Sequence, residues 1–410
     1  MKEVMKYFIL EQYNLVLIRY GEVWLKSQKV KIRMLNHLMS NLKNMLQKKG
    51  IPFHKYQLSK DSSRIFFFFE NEVLHRALDV IQKVFGIHSF SPALRTSNKI
   101  KNITERTLEV AGKILKKNDT FALRVKRSGI HDYDSLELAR IVGKKVIDAF
   151  SEFNLKVNLS NPQKKIFIEV RDDFSYIFTH IYETKWGGLP IEGRKNILVM
   201  DVGRLEDLMA GFLLMRRGSN IHPLLLDMSD DTNNFDKWLS NWKEVLDYFP
   251  FKKFRILKIK LTSIFDKILS NLKQNEFKCA ICRLLRYNII SNVIKDPKFR
   301  NLKEIRAFTD GLRFANSSFC TDEIDLQSIS LNYLFSNYPV FTPLIGFSKE
   351  EFEEKIRKLS ENLIRFDYCK YQPKNQIFNK QDVQLIYNNL KIRQDLEKIT
   401  YSIEIIDLKD

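Results

Sequence analysis

The sequence predicts an α/β chain of more than one domain, and three observations carry that expectation. Short apolar strands alternate with amphipathic helices along the chain. The texture changes at Gly187-Gly188-Leu189-Pro190, a cluster of chain breakers. The chain also has 410 residues, too many for one compact core when domains run to roughly 100–200 residues.

The elements follow in order. Leu15 to Arg19 reads as a strand, and residues 29–47 place Ile32, Leu35, Leu38, Leu42 and Met45 on one helical face. His54 to Leu58 and Arg64 to Phe69 are strands, Val73 to Val84 is a second helix, and Ile87 to Ala93 closes the group. That βαββαβ order is the one used by small ferredoxin-like sandwiches. The phenylalanines at 66–69 are core residues on this reading. A helix over 102–117 comes next, followed by a strand from Phe121 to Arg127. In that strand Phe121, Leu123 and Val125 alternate with Arg124 and Lys126. Asp134-Ser-Leu-Glu137 opens a helix to about 150, and Lys164 to Val170 and Tyr176 to Ile181 are strands.

Beyond the breakers, alternating strands and helices predict a parallel sheet. Its strands are Ile197 to Met200, Ile221 to Leu226, Phe254 to Lys260, Ile305 to Phe308 and Val340 to Phe341. The intervening helices are Leu208 to Arg217, Trp238 to Tyr248, about 263–274 and 281–294. Ser348-Lys-Glu-Glu351 caps a last helix to about Leu359.

Composition narrows the function. No apolar run approaches the ~18 residues of a membrane span, and charged residues within the first apolar stretch argue against a signal peptide. Four cysteines, at 279, 282, 320 and 369, are too few for a disulfide scaffold, so a cytoplasmic, reducing setting is expected. Lys and Arg number 68 against 49 Asp and Glu, a net +19. Most of that surplus falls in residues 1–190, which suits a polyanionic partner for that half.

No Walker, dinucleotide, zinc-protease or nucleophile-elbow motif is present. The compact cluster is Cys279-Ala-Ile-Cys282 at a helix start, with Cys369 downstream. Such a pair serves as a redox couple, as part of a metal site or as buried thiols, and spacing alone leaves all three open.

These landmarks together resemble the tRNA 4-thiouridine synthases. Leu17-Ile-Arg-Tyr-Gly-Glu22 with Leu25-Lys26 resembles that family's N-terminal signature, and Phe121 to Gly129 with Ser135-Leu-Glu137 and Val142-Gly143 its THUMP core. Gly187 to Pro190, Cys279-x-x-Cys282, Pro343-Leu-Ile-Gly346 with Ser348 to Glu351, and Cys369 resemble its later landmarks. The resemblance implies a ferredoxin-like domain over 1–97, a THUMP domain over 98–186, and a Rossmann-like PP-loop domain over 187–410. It implies tRNA as partner, contacted by Arg124, Lys126 and Arg127, and ATP with Mg²⁺ at the loop. It also implies sulfur chemistry at Cys279, Cys282 and Cys369, which would ligate a [4Fe–4S] cluster as in cluster-bearing members. A homodimer or a modification-enzyme partner is a further expectation.

The chain departs from the family at the nucleotide site. Where the PP-loop reads Ser-Gly-Gly-x-Asp-Ser, this sequence has Val202-Gly203-Arg204-Leu205-Glu206-Asp207. Arg204 and Leu205 add bulk, and Glu206 and Asp207 set two charges where amides would wrap phosphate oxygens. Leu284 stands where a basic residue is expected, with Arg283 and Arg286 near, and a Gly- and Gln-rich stretch has become Thr309 to Ser318. Weak or absent ATP binding follows as an expectation. The alternative function is then a tRNA-binding paralogue, lapsed in catalysis, that acts as an accessory in tRNA modification.

Overall fold

The computed structural model describes residues 7–231, 233–296, 305–313, 336, 338–366, 369–373, 379–390 and 402–408. Cys320 and residues 314–318, named above, lie outside the described residues. The chain forms two compact units, Met1–Leu189 and Pro190–Asp410. Among the described residues no helix is long and apolar enough to cross a membrane.

The first unit opens with β1 (Leu15–Tyr20), α1 (Gln28–Lys48), β2 (Lys55–Leu58), β3 (Ile65–Phe68), α2 (Leu74–Ile81) and β4 (Ile87–Ser97). The strands lie in the order β2-β3-β1-β4, all antiparallel, which is the ferredoxin-like arrangement. Phe66 to Phe69 are all buried. α3 (Ile100–Ile114), β5 (Thr120–Ser128), α4 (Ser135–Ala149), β6 (Lys156–Val157), β7 (Lys164–Arg171), β8 (Phe174–Phe178) and β9 (Tyr182–Glu183) follow. They extend the sheet from β4 as β8-β7-β5-β6, with β9 also pairing β4.

β4 runs four residues past the stretch read as a strand, because Leu94 to Ser97 pair with β8 while its earlier part pairs with β1. The polar run Arg95-Thr96-Ser97 hid that extension. Phe66 on β3 stacks on Tyr176 of β8, centroids 4.2 Å apart. Two strands separate β3 from β8, so this contact shows that the sheet bends and brings its own faces together. Leu15, Leu17, Phe68, Ala93 and Phe178 share the small core trapped there, and a larger core lies beneath the helices.

The second unit comprises β10 (Asn196–Asp201), α5 (Leu205–Arg216), β11 (Asn220–Asp227), α6 (Asn233–Leu246), β12 (Phe254–Lys260) and α7 (Thr262–Phe265). α8 (Lys278–Lys295), β13 (Ala307–Thr309), β14 (Val340–Phe341), α9 (Lys349–Leu359), α10 (Lys380–Asn389) and β15 (Glu404–Leu408) complete it. The sheet order is β14-β13-β10-β11-β12-β15, parallel except for β15. The helix expected over 263–274 is broken. A π segment spans Asp266–Ser270, and the Asn271 side chain donates to the Lys267 carbonyl (2.9 Å), ending the helix. α9 begins as expected, with reciprocal bonds between Ser348 and Glu351. β10 has β11 on one side and β13 on the other, so crossovers reverse at its C-terminal end. Open α/β sheets place ligands at that point.

Candidate functional site

The connection from β10 to α5 is the loop singled out in the sequence. All six residues of β10 are buried, and the turn that follows is made by Gly203 at φ +93°, a left-handed conformation suited to glycine. The Gly203 N–H donates to Asp201 Oδ1 (2.7 Å), while Asp201 Oδ2 accepts the indole N–H groups of Trp238 (2.5 Å) and Trp242 (2.8 Å) on α6. Burial, followed by the charge of Asp207, pushes the Asp201 carboxyl up to about 7 against the pull of these donors.

Asp207, in the first turn of α5, is fully buried. Its Oδ2 accepts the Val202 N–H and Arg204 Nε, both at 3.1 Å. Its Oδ1 accepts Arg204 Nη2 (2.5 Å) and the Gly311 N–H (3.2 Å). Burial raises the Asp207 pKa, and Arg204 pulls it back. Gly311 approaches so closely that a Cβ there would lie 2.5 Å from the Asp207 backbone nitrogen and Oδ1. Arg204 Nη2 also lies 3.5 Å from Asp310 Oδ1. Asp310 Oδ2 in turn accepts the Tyr287 hydroxyl (2.5 Å) and pairs with Arg283 Nε (3.7 Å). Burial works against ionisation of Asp310, but Arg283, Arg204 and Arg286 outweigh it and hold its pKa down. Glu206 pairs with Arg313 Nη2 at 3.2 Å, and the Arg313 guanidinium lies 4.6 Å from the Phe352 ring.

This corrects one expectation. Glu206 and Asp207 are not bare charges at a helix end, because both are sealed from solvent and ion-paired. Asp207 pairs locally with Arg204, but Arg313, which pairs with Glu206, and Gly311, which donates to Asp207, lie about a hundred residues away in sequence, so local pattern could not supply them. The available signal was charge inside apolar stretches: α8 buries Arg283 and Arg286 among leucines and isoleucines.

Beside the loop, at the C-terminal ends of β10 and β11, lies a cavity of about 480 Å³. Val202 and Gly203 line it, together with Phe235 and Trp238 of α6 and with Phe366 and Cys369. The structure thus brings Cys369 to the same cavity as the start of the loop. Cys279, half-buried, and Cys282, buried, sit one turn apart on α8. Cys282 belongs to the core of this unit, and Cys369 packs against that core. Among the described residues no three His, Cys, Asp or Glu side chains gather into a group able to hold a metal ion. A cluster on Cys279, Cys282 and Cys369 stays an expectation of the resemblance, and no chemistry below is routed through one.

Arg124, Lys126 and Arg127 lie on β5 in the first unit. Arg124 is half-buried and donates through Nη2 to the Leu159 carbonyl. Lys126 and Arg127 are exposed, and Arg127 Nη1 reaches the Gly129 carbonyl at 3.3 Å.

Comparison with known proteins fits this arrangement. Residues 15–91 match the ThiI ferredoxin-like domain, 97–180 the THUMP domain, and 195–385 the thiamine biosynthesis protein (ThiI) family. A probable tRNA sulfurtransferase of Methanobrevibacter smithii is 27% identical over 372 residues, covering 87% of this chain and 88% of its own. One from Saccharolobus islandicus is 26% identical over 402 residues, covering 96% and 100%. Among solved structures, a 4-thiouridine synthetase–RNA complex with bound ATP shares the fold at TM-score 0.78 and 20% identity, covering 96% of this chain and all of that one. PH1313 from Pyrococcus horikoshii does so at TM-score 0.63 and 24% identity, covering 84% and 99%. Matched domain by domain in the family's own order, and along most of its length by such relatives, the chain belongs to the ThiI-type tRNA sulfurtransferase family.

Proposed function

We propose that the chain is a tRNA-binding sulfurtransferase that converts a tRNA uridine to 4-thiouridine. In this reading residues 1–97 and 98–186 hold the RNA, and 187–410 carry the chemistry. The observation that carries it is the position of Cys369, on the wall of a cavity whose neighbouring wall is the loop Val202-Gly203. Relatives bear the name tRNA sulfurtransferase, and one solved neighbour was captured with RNA and ATP. Uracil O4 is a poor leaving group, so sulfur can replace it only after activation, which the family achieves with ATP. The Cys369 thiol beside that site is placed to take the outer sulfur of a donor persulfide, the donor leaving as a thiol. That sulfur then attacks C4 as AMP leaves, and a dithiol reductant cleaves the resulting disulfide to release 4-thiouridine. In the first unit, exposed Lys126 and Arg127 supply phosphate contacts, while Arg124, fastened to the Leu159 carbonyl, shapes the surface that bears them.

The test uses the whole chain with tRNA lacking 4-thiouridine, ATP–Mg²⁺, a persulfide donor and a dithiol reductant. The modified nucleoside should form, and Cys369→Ala should abolish it while tRNA affinity stays within about twofold. Lys126→Ala should weaken tRNA binding and lower the salt slope by about one counterion. Full activity of the Cys369 variant would refute the role given to that thiol.

One observation favours a second reading. The loop's amides already hold the Asp207 carboxylate, clamped by Arg204. A chain fixed in that state would bind tRNA as an accessory in modification without activating uridine itself. It would show the same salt-dependent tRNA binding and form no 4-thiouridine.

A further inference from the structure

We infer that Asp207 is a built-in occupant of the loop's anion seat, so that the adjoining cavity takes an uncharged nucleoside and does not favour its triphosphate. The inference rests on the reading above in taking this cavity as the nucleotide site, and it adds what that site selects. Three donor groups converge on one carboxylate: the Val202 N–H, the Gly311 N–H and the Arg204 guanidinium. A phosphate oxygen entering the loop would need those same donors. Amides at a strand-to-helix turn are a ready anion site, and here the anion is part of the chain. The fit is close, since the missing Cβ of Gly311 is what lets its N–H reach Asp207. Glu206, the other carboxylate of the loop, is held by Arg313.

The cavity itself offers little to a polyphosphate. Of its cationic walls, Lys370 is held by Asp230 (2.8 Å) and Asp266 (2.9 Å). Arg365 is held by both oxygens of Glu353, at 2.5 and 2.6 Å. Lys237, exposed on α6, is the remaining wall cation among the described residues, and an exposed lysine attracts an anion only weakly through water. Against these stand Asp227, Asp230 and Asp231 on the same walls. Phe235, Trp238 and Phe366, with Leu225, Leu226 and Met228, make much of the remaining lining of a space of about 480 Å³, within the range of small-ligand sites. Flat rings between aromatic walls gain stacking that does not depend on phosphate.

The experiment is equilibrium binding of adenosine, uridine and ATP–Mg²⁺ to the whole chain without tRNA. At least one nucleoside should bind, and ATP–Mg²⁺ should bind within about threefold of adenosine, unchanged when Mg²⁺ is removed. ATP–Mg²⁺ binding tenfold or more above adenosine would overturn the inference, as would binding of neither nucleoside. Asp207→Ser empties the seat while leaving Arg204 a carboxylate in Asp310, and ATP should then gain at least tenfold over adenosine. Should that variant fail to fold, Asp207→Ala reads the same ratio, and an unchanged ratio in a folded variant contradicts the assignment. Formation of 4-thiouridine with tRNA present is scored separately. Tight ATP binding by the chain alone overturns this inference and leaves the proposed activity standing.

Discussion

Each unit buries a cluster of arginines and carboxylates, and the two clusters differ in how the charges are matched. In the first unit Glu169 accepts Arg64 Nε and Nη2 (3.0 and 3.1 Å), and Arg19 and Arg171 stand 3.7 and 3.6 Å away. Arg171 also pairs with Asp61 (2.9 Å), itself held by the hydroxyls of Ser59, Ser63 and Ser128. Three guanidinium groups therefore share two carboxylates, and burial lowers the Arg19 pKa to about 10. In the second unit Arg204, Arg283 and Arg313 face Asp207, Asp310 and Glu206. Asp201 stands beside them, held by indole and amide donors. The first arrangement is a hub, dependent on one acid where strands β1 and β7 meet the β2–β3 turn. The second gives each of the three acids an arginine of its own and closes a loop.

The hub should be the more fragile. Glu169→Gln leaves three buried arginines with one carboxylate, and removing one partner of a buried ion pair costs about 3–5 kcal/mol. Native-state hydrogen exchange of β7 peptides reads that loss. A cost below about 1 kcal/mol would remove the distinction between the two clusters.

A smaller effect separates the clusters by pH. Burial works to raise the Glu169 pKa, but Arg64, Arg19 and Arg171 outweigh it, so its folded value lies below the ordinary one. Its contribution is therefore present above about pH 4.5 and lost as pH falls. Asp201 has the opposite sign: with a folded value of about 7, it binds a proton in the folded state that the unfolded chain releases near pH 4. Its contribution is full below pH 4 and lost as pH rises to 7. Buried His222, lowered from 6.5 to about 4, acts against Asp201 over most of that window. The clean reading is therefore a difference: Asp201→Asn minus wild type should gain relative stability steadily from pH 4 to 7. A flat difference would show that Asp201 is ionised throughout.

Much of the fold was legible because its signals are local. The unbroken apolar run Ile65 to Phe69, the helical stripe through Leu35, Leu38 and Leu42, and the Ser348 capping box each state their structure within a few residues. β15 was not legible, since Glu404–Leu408 becomes a strand only by pairing antiparallel with β12. The loop shows the same limit at the site. Its position followed from the resemblance at Val202 to Asp207, and Glu206 and Asp207 read as two uncompensated charges where phosphate oxygens would sit. Their burial depends on Asp310, Gly311 and Arg313, which the crossover to β13 brings back beside β10.

The central claim is that Arg204 and Asp207 form one unit that fills the loop, and a double-mutant cycle tests it directly. Exchange protection of α5 peptides is measured for wild type, Arg204→Ala, Asp207→Ser and the double variant. Arg204→Ala should cost most, about 3 kcal/mol, because it leaves Asp207 and Asp310 buried together without their shared cation. The double variant should be less destabilised than the sum of the single variants by at least about 1.5 kcal/mol. Additivity within about 0.5 kcal/mol would contradict the claim and return the loop's amides to an outside anion.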